Sequence, residues 1–419
     1  MRTRSDAASI FIALFRPALG LIFAVVAAAN ASAAPSYTVI DLGVPLDSTD
    51  PSIVLALGVN SLGEVTGQLS LSDGSHHAFL YSRGVLHDLG TLLDGTSSVG
   101  IAVNASSQVT GSSFLSDSSG AEHAFLHNGV FMQDLGTFGG DVSQGLGINA
   151  SGEVTGEAAL SNGLRHAFLF NGTFMEDLGT LGGASSKGFS INDAGMITGG
   201  STTDVGPQHA FLYDGMMMHD LGTLGGFVSE GHGINASGEV TGFSFTPAGS
   251  QHAFFYDGME MIDLRTLGGA KSFGNSINAH GLVVGTSDVD ETTLTHAFLY
   301  DGSNMLDLND LLTGLQPGVT IELQSAGIGG SINDAGQIAA TGRYTSGGPG
   351  PFAIRAFLLT PVPEPAGPAS TWMASAALAG IRVARRCANR CRSRPIARTP
   401  RRSDSPTSEA ASRSIPPST

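Results

Sequence analysis

Histidine and aspartate recur along this sequence as pairs separated by eleven residues. A carboxylate beside an imidazole is the arrangement that orients a catalytic general base, and both side chain types also bind metal ions. In a seventh copy, an arginine near the end of the array replaces the histidine, and its matching aspartate lies near the beginning. The pairs are His77 with Asp88, His123 with Asp134, His166 with Asp177, His209 with Asp220, His252 with Asp263, His296 with Asp307, and Arg355 with Asp41.

Most of these pairs flank a turn signal, an Asp-Gly or Asn-Gly dipeptide between two apolar runs. Both dipeptides are favoured at the centre of two-residue hairpin turns. If Asp214 and Gly215 form such a turn, His209 and Asp220 lie directly opposite each other, with Cβ atoms about 5 Å apart. The sequence therefore predicts a His–Asp hydrogen bond within each hairpin.

The repetition separates two interpretations of these pairs. A catalytic site needs one asymmetric arrangement with a nucleophile or a substrate pocket, and a metal site needs three or four converging ligands. Seven similar two-residue pairs supply neither, so we interpret them as structural ties and expect no catalytic residue, metal or cofactor there. For Arg355 and Asp41 we predict a bidentate ion pair that fastens the two ends of the array.

The pairs belong to a longer repeat in which three landmarks keep step. They are the triplet HAF (RAF in the last copy), the dipeptide DL, and a Val-Asn or Ile-Asn, each spaced at about 43 residues, a length typical of propeller blades. Turn signals divide each unit into about four short strands. The sequence therefore predicts an all-β fold, a seven-bladed β-propeller of four-stranded blades over residues 34–360. The alternative, a β-solenoid, usually has shorter coils. The repeated asparagines are Asn60, Asn104, Asn149, Asn192, Asn235, Asn278 and Asn333.

The two ends of the array predict how the ring closes. The array opens with a DL strand alone and ends with an RAF strand alone. We therefore expect the N-terminal strand (36–43) to pair with the C-terminal strand (355–360) and complete one blade. The small-residue strand before each asparagine should lie innermost, where blades crowd the axis, and the DL strand outermost.

The HAF triplets and their spacing resemble the HAF family of bacterial extracellular repeats. The resemblance covers nearly the whole array. It implies secretion and carries no established activity.

The N-terminus has the features of a secretory signal peptide over residues 1–33. Arg2 and Arg4 precede an apolar run at 17–29, and the small residues Ala31 and Ala33 follow it. The run is shorter than the roughly 20 residues that a membrane-spanning helix needs. We therefore favour cleavage near Ala34 over an uncleaved anchor.

The C-terminal region 361–386 resembles the PEP-CTERM sorting signal of Gram-negative bacteria. A Pro-Glu-Pro (Pro363, Glu364, Pro365) precedes an apolar stretch at 372–381 and the arginines Arg385 and Arg386. The resemblance implies processing by an exosortase, with transient membrane contact through the apolar stretch and the arginines on the cytoplasmic side. The alternative is a disordered linker. Residues 387–419 read as a basic disordered tail.

Charge excludes one class of partner for the repeat array. Residues 34–360 carry 7 Lys and Arg against 32 Asp and Glu, whereas residues 361–419 carry 10 Arg against 3 acidic residues. An acidic body repels phosphate backbones, so we expect no nucleic-acid binding. The two cysteines, Cys387 and Cys391, lie in the tail, and no disulfide framework is expected in the body.

The remaining sequence leaves two functional hypotheses. The sequence has no nucleophile elbow, zinc-protease motif or phosphate loop, and Asp288–Glu291 is better read as a solvated loop than as a calcium site. Function should lie where the repeats differ, above all in the loops before each HAF, such as 201–208, 245–251 and 344–354. We expect an exported cell-surface or matrix scaffold that binds an extracellular protein or polysaccharide. The alternative is a secreted polysaccharide hydrolase or lyase.

Overall fold

Strands account for almost all regular structure in the part of the chain that the computed structural model describes. That part comprises residues 35–43, 55–116, 120–290, 294–327, 329–346 and 352–363. It contains 28 strands and two short 3₁₀ segments, Leu92–Asp94 and Leu308–Leu311. Within it, no helix is long and apolar enough to cross a membrane. The predicted signal peptide and the region from Glu364 onward lie outside the described residues.

The strands form four-stranded antiparallel units, which we call blades 1 to 7. A single parallel pairing of Val142 with Glu122 joins blades 2 and 3 into one eight-stranded sheet. Blade 1 contains β2 (Leu55–Val59), β3 (Val65–Ser70), β4 (His76–Ser82) and β5 (Val85–Asp88). Blade 2 contains β6 (Ser98–Val103), β7 (Val109–Phe114), β8 (Glu122–His127) and β9 (Met132–Asp134). Blade 3 contains β10 (Gly139–Ile148), β11 (Val154–Leu160), β12 (Arg165–Phe170) and β13 (Met175–Asp177).

The remaining blades follow the same order. Blade 4 contains β14 (Gly182–Ile191), β15 (Ile197–Thr203), β16 (Gln208–Tyr213) and β17 (Met218–Asp220). Blade 5 contains β18 (Ser229–Ile234), β19 (Val240–Phe245), β20 (Gln251–Tyr256) and β21 (Met261–Arg265). Blade 6 contains β22 (Ser272–Ile277), β23 (Val283–Asp288), β24 (Thr295–Tyr300) and β25 (Met305–Asp307). Blade 7 contains β26 (Val319–Ala326), β27 (Ile338–Ser346), β28 (Ala353–Pro361) and β1 (Tyr37–Asp41). The predicted all-β propeller fold is confirmed.

Blade 7 is built from both ends of the array. Strand β1 pairs antiparallel with β28, from Tyr37 opposite Pro361 to Asp41 opposite Phe357. The backbone N–H of Leu42 extends the ladder by donating to the carbonyl of Ala356. An N-terminal strand thus supplies the outermost strand of the last blade.

The HAF triplet forms the core between neighbouring blades. Its phenylalanine is fully buried in every blade, as Phe79, Phe125, Phe168, Phe211, Phe254, Phe298 and Phe357. Each phenylalanine shares a hydrophobic cluster with the HAF alanine of the preceding blade, and Phe79 shares one with Ala356 of blade 7. Burying each phenyl ring contributes about 2–3 kcal/mol. The triplet therefore recurs because every blade offers the same small residue to its neighbour's ring.

Small residues let the inner strands approach one another. Gly58, two residues before Asn60, shows how close they lie, since a Cβ atom there would be 2.6 Å from the Gly329 carbonyl oxygen and 2.7 Å from that of Ile101. The strand before the asparagine is innermost and the DL strand is outermost in each sheet.

The seven repeated asparagines form a closed ring of hydrogen bonds at the ends of the inner strands. Each side-chain Nδ2 donates to the backbone carbonyl of the next asparagine, and Asn333 donates to Asn60, at distances of 2.8 to 3.3 Å. All seven side chains are buried. Because buried polar groups must be paired, this ring satisfies the amides and links every blade to the next.

The hairpin between the third and fourth strands has a different register from the predicted one. Asp220 pairs with Phe211, not with His209, and the corresponding aspartates of blades 1, 2, 3, 5 and 6 pair in the same way. The prediction that histidine and aspartate lie directly opposite each other is therefore wrong. They are diagonal neighbours on the same face of the sheet, still within reach of each other's side chains.

The cause is the position of the turn. Gly215 has φ +94° and occupies the first central position, with Met216 second, as in a type II′ turn. Asp214 lies outside the centre, and its carboxylate accepts the N–H groups of Met216 and Met217. Moving the centre of the turn by one residue shifts the cross-strand partner of each residue by two positions, from His209 to Phe211 in the case of Asp220.

Strand direction gives the ring two distinct faces. The asparagine ring, the turns between first and second strands, and the turns between third and fourth strands lie together on one face, which we call the Asn face. The connections between second and third strands, and those between successive blades, lie on the opposite face, which we call the loop face. The predicted variable loops 201–208 and 245–251 are therefore on the loop face. Part of 344–354 lies outside the described residues.

Candidate binding site at the channel mouth

The predicted His–Asp pairs are hydrogen-bonded within their own blades. In blades 1 to 5, each histidine Nδ1 lies 2.9 or 3.0 Å from both carboxylate oxygens. In blade 6, His296 Nδ1 lies 2.6 Å from one oxygen of Asp307. Each carboxylate also accepts the backbone N–H two residues further on. These carboxylates are thus engaged in ordering the turn that leads to the next blade.

In blade 7 an ion pair takes the place of the imidazole. The Arg355 guanidinium donates from Nη1 to one oxygen of the Asp41 carboxylate, so the predicted bidentate geometry is wrong. The other oxygen accepts the backbone N–H of Gly43, which occupies it in place of a second guanidinium nitrogen. The guanidinium carbon of Arg355 lies 4.2 Å from the centroid of the Tyr344 ring. The ion pair with Asp41 joins the two ends of the array, and the Tyr344 ring, which belongs to the same end as Arg355, supports the guanidinium group.

The central channel holds a cavity of about 170 Å³. Residues of all seven blades line it, and its described lining is glycine, alanine, serine, aliphatic side chains and Phe189, without an acidic residue. Towards the loop face, Phe189 packs with Ile101 and Leu146. The channel therefore offers an apolar interior with no carboxylate for acid–base chemistry.

At the loop-face end of the cavity, two inner-strand positions break the repeat. Three residues before the asparagine, the side chains are Leu57, Ile101, Leu146, Phe189, His232 and Asn275 in blades 1 to 6. Five residues before it, they are Leu55, Val99, Gln144, Lys187, Glu230 and Phe273. One half of the channel mouth is thus apolar, and the half formed by blades 3 to 6 is polar and aromatic.

Ion pairs connect blades 3 and 4 in the polar half. Glu157 accepts from Arg165 at 2.8 Å, and Lys187 Nζ lies 3.4 Å from the same carboxylate. Lys187 Nζ also lies 5.0 Å from the centroid of the Phe189 ring. The ammonium group is therefore held between a carboxylate and an aromatic face.

A second polar group lies between blades 4 and 5. Gln208 Nε2 donates to Glu230 at 2.7 Å, and Glu230 lies 3.8 Å from Nε2 of His232. Burial raises the pKa of Glu230 above its usual value, and the Gln208 hydrogen bond only partly offsets this. Burial lowers the pKa of His232 to about 4, so this imidazole is neutral at pH 7. Nδ1 of His232 has no hydrogen-bond partner among the described residues.

Aromatic rings complete the cluster on blades 4 to 6. The His232 ring lies 4.8 Å from that of Phe189 and 5.6 Å from that of Phe243. Phe243 in turn lies 5.4 Å from Phe273 and 6.5 Å from Phe245. Phe243, Phe245 and Phe273 are each only half-buried. We call Glu157, Lys187, Gln208, Glu230, His232 and Phe243 the mouth cluster.

This cluster was not predicted from the sequence. The repeat pattern marks the inner strands as uniform small-residue strands and does not distinguish the positions that vary. The available signal was the change from Leu57 in blade 1 to His232 in blade 5 within an otherwise constant frame. No group of three or more His, Cys, Asp or Glu side chains in the described chain could hold a metal ion. Glu291 of the calcium alternative, and the sorting residues Glu364, Pro365, Arg385 and Arg386, lie outside the described residues, while Pro363 is the last described residue.

Comparison with known proteins identifies no activity. Residues 228–348 match the domain family described as "Protein of unknown function (DUF3466)". No curated protein matches the chain.

Solved structures are similar only at a distance. The β-propeller domain of the Trilobed protease from Pyrococcus furiosus is 8% identical with a TM-score of 0.44, covering 73% of this chain and 93% of that one. A puromycin-hydrolyzing peptidase of Mycobacterium tuberculosis is 10% identical with a TM-score of 0.46, covering 77% and 56% respectively. TolB from Acinetobacter baumannii is 11% identical with a TM-score of 0.36, covering 71% and 76%. These similarities carry no functional argument.

Proposed function

We propose that this chain is an exported, non-enzymatic binding propeller whose loop face takes an extracellular protein or polysaccharide. The observation that carries the proposal is the mouth cluster, which forms where the inner strands of the described blades change from small and aliphatic to polar and aromatic side chains. The repeated His and Asp side chains are engaged with each other within the blades, and the cavity in the channel has no carboxylate among its described lining residues. Binding is the chemistry that these groups support best.

Export is part of the proposal and rests on the two chain ends. The HAF-type repeats, the signal peptide at 1–33 and the PEP-CTERM-like segment at 361–386 support delivery to the outer surface or matrix of a Gram-negative bacterium. Exosortase-type processing would occur while the apolar stretch at 372–381 contacts the membrane. The array would then be released or retained with its loop face available to partners.

Recovery of the processed protein tests this delivery. We expect mass spectrometry of cell-surface and medium fractions to find the chain beginning near Ala34 and lacking Arg385 and Arg386. An intact chain confined to the cytoplasm would contradict export.

Photo-cross-linking from Gln251 on the loop face should capture an extracellular partner, whereas the same probe at Thr173 on the Asn face should not.

One observation keeps the enzymatic alternative as a second candidate. Glu230 has a raised pKa, and the charge of Glu157 contributes to it. Two carboxylates in different environments are the pattern of glycoside hydrolysis. Release of reducing ends from extracellular polysaccharide that disappears in Glu230→Gln would favour a hydrolase over a binding scaffold.

A further inference from the structure

We infer that the mouth cluster binds an uncharged glycan, with Phe243 as the platform for a sugar ring. This inference rests on the proposed binding function and narrows it to one site and one ligand class. It is carried by the charge balance of the cluster, the exposure of its rings and the types of its polar groups.

The charges of the cluster cancel when Arg165, which pairs with Glu157, is counted with it. Glu157 is paired with both Arg165 and Lys187, and Glu230 is the second carboxylate. Two cations therefore face two carboxylates, and His232 is neutral. A ligand at this site need not bring a charge of its own.

The surrounding protein disfavours an anionic ligand. Residues 34–360 carry 32 acidic residues against 7 basic ones, so the field of the body repels uronate-rich or phosphorylated polymers. An uncharged polymer does not meet that barrier.

The side chains match the two sides of a sugar. A pyranose presents an apolar C–H face, which an aromatic ring can cover, and a rim of hydroxyl groups, which amide, carboxylate and ammonium groups bind. Phe243 supplies the half-buried ring. It pairs directly with Glu230 on the adjacent strand, so the aromatic surface and a hydrogen-bonding group lie side by side. Gln208 and Lys187, whose side chain is 31% exposed, supply donors beside it.

The backbone next to Gln208 and Glu230 has no room for a residue larger than glycine while their side chains keep these positions. Gly200 pairs with Lys187, and a Cβ atom on it would lie 2.4 Å from Gln208 Nε2 and 3.0 Å from Glu230 Cγ. The glycine therefore leaves room for the Gln208–Glu230 pair. Phe189 and Leu146 pack together in the channel below the mouth cluster. Because they fill the channel there, a glycan lies across the mouth and does not enter the channel.

The other blades provide substitutions that the fold already accepts. Blade 2 has Ser112 where blade 5 has Phe243, and blade 6 has Thr295 where blade 4 has Gln208. We therefore choose Phe243→Ser and Gln208→Thr as test variants. Phe174→Ser, which removes a 57% exposed phenyl ring from the Asn face, is the matched control.

The experiment is calorimetric titration of the full-length chain with hexasaccharides. The probes are uncharged β-1,4-glucan, α-1,4-glucan and β-1,4-mannan, with an oligouronate as the charged counterpart. We expect at least one uncharged probe to bind, and Phe243→Ser to weaken it roughly tenfold, as expected for loss of an aromatic contact. Gln208→Thr should weaken it several-fold without disturbing the aromatic rings, and Phe174→Ser should bind like the parent.

The outcomes separate this inference from the proposed function. Binding that survives both mouth variants, or preference for the oligouronate, overturns the glycan assignment while leaving a binding propeller in place. Absence of any uncharged-glycan binding, together with a protein cross-linked at Gln251, does the same. A chain that is not exported and captures nothing from the loop face defeats the proposed function itself. Melting temperatures of the variants within a few degrees of the parent show that lost binding is not lost folding.

Discussion

At the scale of single residues, some side chains are the same in every blade, and others depart from the repeat. The repeated histidines and aspartates make the same contact in blade after blade, and a contact that is copied so regularly stabilises the unit. Arg355 and His232 are departures. Arg355 replaces a repeated histidine where the array closes, and His232 replaces an aliphatic side chain where the channel opens.

Arg355 should matter more for stability than its histidine counterparts. Arg355→Ala leaves Asp41 without its charged partner and frees the strand that closes blade 7, so we expect a loss of about 2–3 kcal/mol in the free energy of unfolding. His209→Ala removes one hydrogen bond inside a covalently continuous blade, for a loss of about 1 kcal/mol. Chemical denaturation of both variants makes the comparison. An equal or larger loss in His209→Ala would show that Arg355 is one more ordinary tie.

His232 should make the fold acid-sensitive. Its pKa is lowered to about 4 by burial, whereas in the unfolded chain it is near 6.5. Above pH 6.5 neither state binds a proton there. As the pH falls towards 4, the unfolded state gains a proton there before the folded state does, so stability decreases by about 3 kcal/mol over this interval.

A leucine occupies the same position in blade 3, as Leu146, so His232→Leu should fold. We expect the variant to lose less stability than the parent between pH 7 and pH 4, measured by thermal denaturation across that range. His280→Leu, at an exposed position, serves as the control for removing any histidine. Parallel pH profiles for the parent and His232→Leu would contradict the burial argument.

At the scale of strands, the inner strands are joined by side-chain amides as well as by packing. Asn192 offers the cleanest test, because its Nδ2 donates only to the carbonyl of Asn235 while its Oδ1 accepts the N–H groups of Ala194 and Met196. Asn192→Asp keeps the acceptor and removes the donor. It also places a carboxylate against a carbonyl oxygen in a buried position.

We expect Asn192→Asp to cost about 2–3 kcal/mol, the penalty for an unpaired buried polar group. Asn171→Asp, at an exposed hairpin turn where blade 4 already has Asp214, is the matched control and should change stability by less than about 0.5 kcal/mol. Urea denaturation of the two variants gives both numbers. A neutral Asn192→Asp would mean that the ring of amides follows the blade packing without strengthening it.

The same strands show how far sequence alone can reach. Period and turn signals predicted four strands per blade and the inner and outer strand, because each depends on local pattern. The register of the hairpin between the third and fourth strands depends on whether Asp214 or Gly215 is the first central residue of the turn. Asp214 binds backbone N–H groups with its side chain, which moves the centre forward. Blade 1 lacks the Asp-Gly or Asn-Gly signal at this turn, yet Arg83 and Gly84 both have positive φ and form a two-residue turn between Ser82 and Val85.

The mouth cluster could not be assembled from the sequence for a different reason. Glu157, Lys187 and Gln208 lie on different strands of blades 3 and 4, and their proximity depends on how adjacent blades pack. Position in the repeat shows which residues vary but not which of them meet across a blade boundary. The His–Asp ties were accessible because both partners belong to one hairpin.

At the scale of the whole molecule, closure is repeated in three layers. The asparagine ring joins Asn333 to Asn60 near the axis, Ala356 shares a hydrophobic cluster with Phe79 in the middle, and β1 pairs with β28 at the rim. The axial and middle layers join blade 7 to blade 1 as they join every other pair of blades. Only the outer layer is special, since it holds an otherwise separate N-terminal strand in place.

Circular permutation isolates that outer layer. A short Gly-Ser linker from Pro363 to Tyr37, with new termini between the exposed residues Asn162 and Gly163, turns blade 7 into a continuous chain. Because Tyr37 already lies opposite Pro361, the linker bridges a short distance, and we expect the permutant to melt within a few degrees of an unpermuted chain of the same residues.

The permutant also changes what Arg355 does. With β1 covalently held beside β28, the strand no longer has to be captured from a free end, so Arg355→Ala should cost about 1 kcal/mol less than in the unpermuted chain. Denaturation of the four proteins, with and without permutation and with and without the substitution, forms a thermodynamic cycle. If the substitution costs the same in both backgrounds, the ion pair contributes only its local contact, and the ring is closed by Asn333, Ala356 and the β1–β28 ladder alone.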